Sequence, residues 1–165
     1  MPDMVSIPFA TDGWIASTEL KGLTVGDTFV DGRGRRFRLF ELALVADLAG
    51  SAATTSGDVL VLKDATTVTN DVSKGADPSN PAIGGVILGA IDGSSATETK
   101  CVLCLVEGEA TINCSSGVAL SSGLIADSTA DGKAVAATAA EPGRTVGVAL
   151  AAVVGGTASV LVMVS

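Results

Sequence analysis

The chain has no histidine and no tyrosine, and its aromatic side chains are Trp14, Phe9, Phe29, Phe37 and Phe40, 3% of 165 residues. Without an imidazole, neither a Ser-His-Asp triad nor a Cys-His pair can be assembled. Around the Cys101–Cys104 pair a zinc ion would need two further thiolates or imidazoles, and the chain offers only Cys114 and no histidine. An odd number of cysteines is also not a disulfide framework, and points to a reducing setting. Charge is scarce: 17% of residues are Asp, Glu, Lys or Arg, against about a quarter in an ordinary domain. The net charge of −8 repels phosphate backbones, and few rings are available to stack on bases, so a nucleic-acid partner is not expected. The stretch MPDMVSIPFATDGW lacks a basic start and a long apolar run, so no secretory leader is expected.

Apolar residues, by contrast, make up 47% of the chain. With so few rings, the core must be built from Val, Leu, Ile and Ala. Residues 1–38 carry five acids and five bases and sum to zero, so residues 39–165 hold the whole −8. Short apolar runs recur roughly every 8 to 12 residues, each ended by Gly, Asn, Asp or Ser, which predicts an all-β fold, a small β-barrel or sandwich. Residues 1–20, with Pro2, Pro8 and a lone Trp14, read as an extended N-terminal arm, and 21–165 as the β body. GDTFV, DGRGRR and FRLFELAL read as a hairpin whose turn and exit carry four of the ten basic residues. KCVLCLVE reads as a strand that pairs with the following GEATINC. VADLAGSAA suggests one helical turn, and Thr67 to Thr69 a small strand.

A three-part pattern occurs twice. SGDVLVL, GVILGAI and CVLCLV are followed later by SGLIA, GVALAAV and VLVMV. Each part is too short to bury both faces alone, so the pattern predicts an internal pseudo-repeat whose copies pack together. The final stretch, TVGVALAAVVGGTASVLVMVS, is 21 residues without a charge; as a helix it would span about 31 Å, enough for a bilayer. Gly155-Gly156 interrupts it and suits a two-residue turn, and valine favours strands. Two buried strands are therefore expected, and no membrane.

Motifs that carry chemistry fail one by one. Cys101-Val-Leu-Cys104 lies in an apolar strand run, where positions three apart face opposite sides, so buried, inert thiols are expected. GLIADSTADGKAV spaces its glycines too far apart for a phosphate loop and has Ala134 at the metal-binding hydroxyl position. Glu107 and Glu109 share a strand face and read as acids that protect an edge. Asn113-Cys114-Ser115 fits a glycosylation sequon that matters only in a secreted chain. No enzyme, metal or cofactor is expected.

The run GGVILGAIDGSSATETKCVLCLVEGEAT resembles the core of tailed-bacteriophage head decoration (capsid cement) proteins of the lambda D-like type. The order GRRFRLFELA, SGDVLVL, TVTN, GVILGAI, GKAVAAT and VGVALAAV is similar to a group of phage virion proteins with β-barrel bodies. The resemblance implies a structural protein, often a homotrimer, on the outer capsid surface of the virion, made in the host cytoplasm during assembly. There it bridges neighbouring subunits of the major capsid protein. Candidate capsid contacts are Phe9, Trp14 and Ile15 in the arm and Arg33, Arg35 and Arg36 in the turn. The alternatives are a head-fibre, receptor- or glycan-binding module and, less favoured, a C-terminally membrane-anchored protein.

Overall fold

The structure, a computed structural model, describes residues 5–42, 53–62, 71–73, 82–127, 132–137 and 145–164. Among these the fold is all-β, with one short 3-10 turn at Ser17–Glu19. The strands are β1 (Val5–Ser6), β2 (Trp14–Ala16), β3 (Thr28–Val30), β4 (Arg36–Leu42), β5 (Val59–Leu62) and β6 (Asp71–Ser73). They continue with β7 (Ile83–Ile87), β8 (Lys100–Asn113), β9 (Gly123–Ala126), β10 (Ala134–Ala136), β11 (Thr145–Ala149) and β12 (Thr157–Met163). All belong to one sheet, which is not closed as a whole into a barrel. The helical turn and the small strand expected at VADLAGSAA and Thr67 to Thr69 fall largely outside the described residues.

The repeat is real at the level of register. Leu60 lies opposite Gly85 and Val59 opposite Val86, as Leu124 lies opposite Gly147 and Gly123 opposite Val148. Val86 faces Leu105 and Ile87 faces Cys104, as Val148 faces Leu161 and Ala149 faces Val160. Arg38 and Glu41 of β4 face Cys104 and Cys101, as Ala110 and Asn113 face Val160 and Thr157. A parallel contact completes each copy: Leu42 with Val72, and Cys114 with Ala134. Strands β4, β8, β7, β5 and β6 thus form a ring of pairings, and β8, β12, β11, β9 and β10 form the same ring again. The first half of β8 serves one unit and its second half serves the other.

The glycines that open the two similar runs have one shared cause. A Cβ on Gly85 would lie 2.8 Å from the Leu105 carbonyl oxygen, and one on Gly147 would lie 2.1 Å from that of Leu161. Only glycine lets the middle strand of each unit come that close to its neighbour. The expected Gly155-Gly156 turn is present, with φ of 60° and 83° and Val154 bridged to Thr157; two positive φ values mark the tight hairpin turn that suits twisted strands. Residues 145–163 are therefore β11, β12 and their connection, and among the described residues no helix is long and apolar enough to cross a membrane.

Two buried clusters follow from the pleat. Phe40, Leu42, Leu60, Ile87, Ile91, Val102 and Cys104 form one. Their equivalents in the second unit include Ile112, Cys114, Leu124, Ala149, Ala158 and Val160, part of a larger cluster that also takes Phe29, Phe37, Leu39, Leu103 and Leu105 from the first. Smaller side chains fill the second unit, which accounts for its alanine-rich sequence.

One expectation is overturned. GEATINC does not fold back on KCVLCLVE: the two are a single strand of 14 residues, β8. The Glu-Gly-Glu that resembles a turn stays extended because β12 pairs along it from Met163↔Glu107 to Thr157↔Asn113. The apolar run Gly117–Leu120 lies in turns. The described N-terminal segment is stitched into the body: Trp14–Ala16 pair with Val102–Lys100, and Ile7, Phe9 and Ile15 pack on the large cluster.

Candidate docking surface

The arginine-rich turn is organised by one carboxylate. Asp31 Oδ1 accepts from the amides of Arg33 and Arg35, each at 2.9 Å, and Oδ2 accepts from Arg35 Nε at 2.8 Å. An aspartate at the head of a turn satisfies its own backbone in this way. Burial pushes the Asp31 pKa up, but the hydrogen bonds from the Arg35 side chain and the two amides outweigh it and hold the carboxyl below its ordinary value. The Arg35 guanidinium also lies over the Phe37 ring, 5.3 Å from its centroid. Arg36 Nη1 meets Glu107 Oε2 at 3.0 Å across β4 and β8. Arg33 is exposed at the tip, and its side chain has no ion pair among the described residues.

Trp14 is 40% exposed, with the Lys100 ammonium 4.7 Å from its ring centroid. A half-exposed indole with a cation over its ring is suited to contact a partner. Phe9 and Ile15 are half-buried against the core, so they belong to the body's packing. The structure does not bring the candidates to one spot. Trp14 is level with Val102 and Arg36 with Glu107, five residues or about 17 Å apart along β8.

Two recesses result. Arg33, Gly34 and Arg35 line one of about 580 Å³ together with Gly108, Glu109, Ala110, Thr111 and Ser159. Pro8, Ile15, Leu20 and Leu23, with Glu19 and Lys21, line another of about 450 Å³ beside the N-terminal segment. No known protein family, curated protein or solved structure matches the chain. The site must therefore be read from its own chemistry.

Two features are not legible in the sequence. One is an apolar tip of the second unit: Leu120 is 63% exposed and Val154 78%, with Leu150 beside them. Their turns are tied together by Ser121 N–H to the Ala149 carbonyl at 2.8 Å and Val153 N–H to the Val118 carbonyl at 3.0 Å. The tip's trace in the sequence is the absence of any charge from Ala110 to Ala126 and from Thr145 to Ser165. The other is the polar clamp on Asp58, which accepts from Thr55 N–H at 2.7 Å, Thr55 Oγ1 at 3.0 Å and Asn113 Nδ2 at 2.7 Å. With its amide so engaged, the Asn113 sequon has a structural task.

The cysteines are buried and unbridged, with Cys101 in the large cluster and Cys104 in the small one, on opposite faces of β8. Burial alone pushes the Cys104 thiol far up, and burial raises Cys114 against an opposing hydrogen bond from the Ala158 amide. Both are therefore poor thiolate nucleophiles at neutral pH. Glu107 is engaged by Arg36, and Glu109 accepts from Ser159 Oγ at 3.0 Å.

Proposed function

We propose that this chain is a structural virion protein that docks on the outer surface of a bacteriophage capsid and cements neighbouring major capsid subunits, as a homotrimer. The observation that carries the reading is the uncharged apolar tip at Leu120, Leu150 and Val154, on a molecule whose charge lies elsewhere. Large exposed apolar side chains grouped on adjoining turns mark a contact surface. The half-exposed Trp14 offers a second anchor. Many such weak contacts add up on a repeating lattice. Within the candidate set, Trp14 and Arg33 face outward, whereas Arg35 and Arg36 are held by Asp31 and Glu107.

The test mixes purified protein with expanded empty capsids of tailed phages and counts bound copies. Saturable binding is expected, weakened by Trp14→Ala and by Val154→Asp. Lack of saturable binding to every capsid form would overturn the reading.

A further inference from the structure

The two units are built alike but are not covered alike. In the first, strand β3 lies on the outer edge of β4: Thr28–Val30 pair with Arg38–Arg36. Leu39 of β4 is satisfied there on both sides of its backbone, its N–H donating to the Asp27 carbonyl at 2.9 Å and its C=O accepting from Gly26 N–H at 2.7 Å. The register of the repeat makes Ala110 of β8 the equivalent of Arg38 and Thr111 the equivalent of Leu39.

The alternation of an antiparallel strand shows where the backbone of β8 points in the second unit. Val106 C=O accepts from Val164 N–H, and Cys114 N–H donates to Gly156 C=O, both on the β12 side. Residues 108, 110 and 112 share that direction. Residues 107, 109, 111 and 113 face away from β12, as the Asn113 N–H bond to the Gly57 carbonyl at 2.8 Å confirms. Glu107 is covered by Arg36 and Asn113 by Gly57. Between them, Glu109 and Thr111 have no backbone hydrogen bond among the described residues; Gly57 lies against the Thr111 carbonyl, so the open groups are the Glu109 N–H and C=O and the Thr111 N–H. This gap is the floor of the 580 Å³ recess, and the exposed cation of Arg33 stands on its rim.

We propose that the β8 edge at Gly108–Thr111 is a strand-addition site for an extended segment of a partner polypeptide that carries an acidic side chain toward Arg33. The first unit supplies the precedent, because the same edge there is filled by Gly26–Val30. An unpaired run of N–H and C=O groups in a recess is a template for one more strand. Charge sets where the acid must lie: Arg33 has no ion pair among the described residues, whereas Glu109, hydrogen-bonded to Ser159 Oγ, keeps its negative charge, so the segment carries its acid at the Arg33 end and an uncharged residue beside Glu109. The inference does not rest on the capsid reading, since a chain that takes the peptide and ignores capsids would keep the first and lose the second.

The probe is a labelled peptide of the chain's own residues 25–31, VGDTFVD, which contains the strand that fills the first unit's edge and two acids. Titrated with the full chain, it should bind saturably by fluorescence anisotropy, whereas a scrambled peptide should not. Thr111→Pro removes the open N–H without touching the β12 ladder, a place an edge tolerates proline, and should weaken binding roughly tenfold or more. Arg33→Glu should weaken it severalfold. Amide exchange at Glu109 and Thr111 should be fast in the free chain and slowed by the peptide. Absence of saturable binding, equal binding by a folded Thr111→Pro chain, or slow exchange at both amides in the free chain would each overturn the proposal. Should Thr111→Pro not fold, Arg33→Glu and the exchange measurement decide. Dimerisation abolished by Arg33→Glu would assign the edge to a second copy and overturn the choice of partner.

Discussion

Asp58 is 2% exposed, and a carboxylate so placed persists only where donors surround it. Asn113, 55 residues away, supplies one of them. Asn113→Ala removes one of the donors to that buried carboxylate and should destabilise the fold by about 1–3 kcal/mol, read as a lower urea midpoint at unchanged slope. Nothing near either residue in sequence announces the pair, because it forms only when the turn of one unit meets the strand it shares with the other. The glycines were legible, since Gly85 and Gly147 stand at the same place in two similar runs. Gly147→Ala drives a Cβ into the Leu161 carbonyl and should unfold the chain or cost more than about 3 kcal/mol. Gly155→Ala, with open space around it but a φ of 60°, should cost only about 1 kcal/mol; thermal melts of the two variants compare them directly. For Asp31 the sign is that of a depressed carboxyl. Its contribution is present above the unfolded value near 3.8 and is lost as pH falls through the lower folded one. Asp31→Asn should therefore flatten the acid limb of melting temperature against pH, most clearly below about pH 4.

At the scale of elements, the apolar runs bounded by turn residues located β3, β4, β5, β7, β9, β10 and β12, because each is short, buried and ended by a chemically distinct break. β8 was misread because Glu107-Gly108-Glu109 looks locally like a hairpin turn. What keeps it extended is β12, a partner about fifty residues later whose influence no local window contains. The arginine turn is legible as a turn, and the sequence offers Arg33, Arg35 and Arg36 alike as contacts. Asp31 and Glu107 hold two of the arginines, and only Asp31 is close in sequence. The N-terminal segment was read as an arm because it shows no periodicity. It needs none, since its strands add to edges provided by β3 and β8. Deleting residues 1–20 should accordingly lower the melting temperature by several degrees, as loss of the β2–β8 pairing and of the Ile7, Phe9 and Ile15 contacts requires. An unchanged melting temperature would show that the segment contributes contact surface and no stability.

The whole molecule is two copies of one five-strand ring that cannot be separated, because both own β8. Cutting between them would divide a single strand, and the large cluster already mixes Phe37, Leu39, Leu103 and Leu105 of the first unit with Leu124, Val146 and Val160 of the second. Proteins with repeated units often unfold in stages when neighbours meet only across an interface. Here the shared strand and the continuous core couple the units far more tightly. Trp14, paired to Val102, reports on the first unit, and far-UV circular dichroism reports on both. The two signals should trace one coincident urea transition. A milder substitution at the second unit's tight turn, Gly155→Ala, should then shift the Trp14 fluorescence midpoint by as much as it shifts the dichroism midpoint, although residue 155 lies in the other unit. A fluorescence midpoint left in place while the dichroism midpoint falls would mean that β8 frays at its centre and the copies unfold separately.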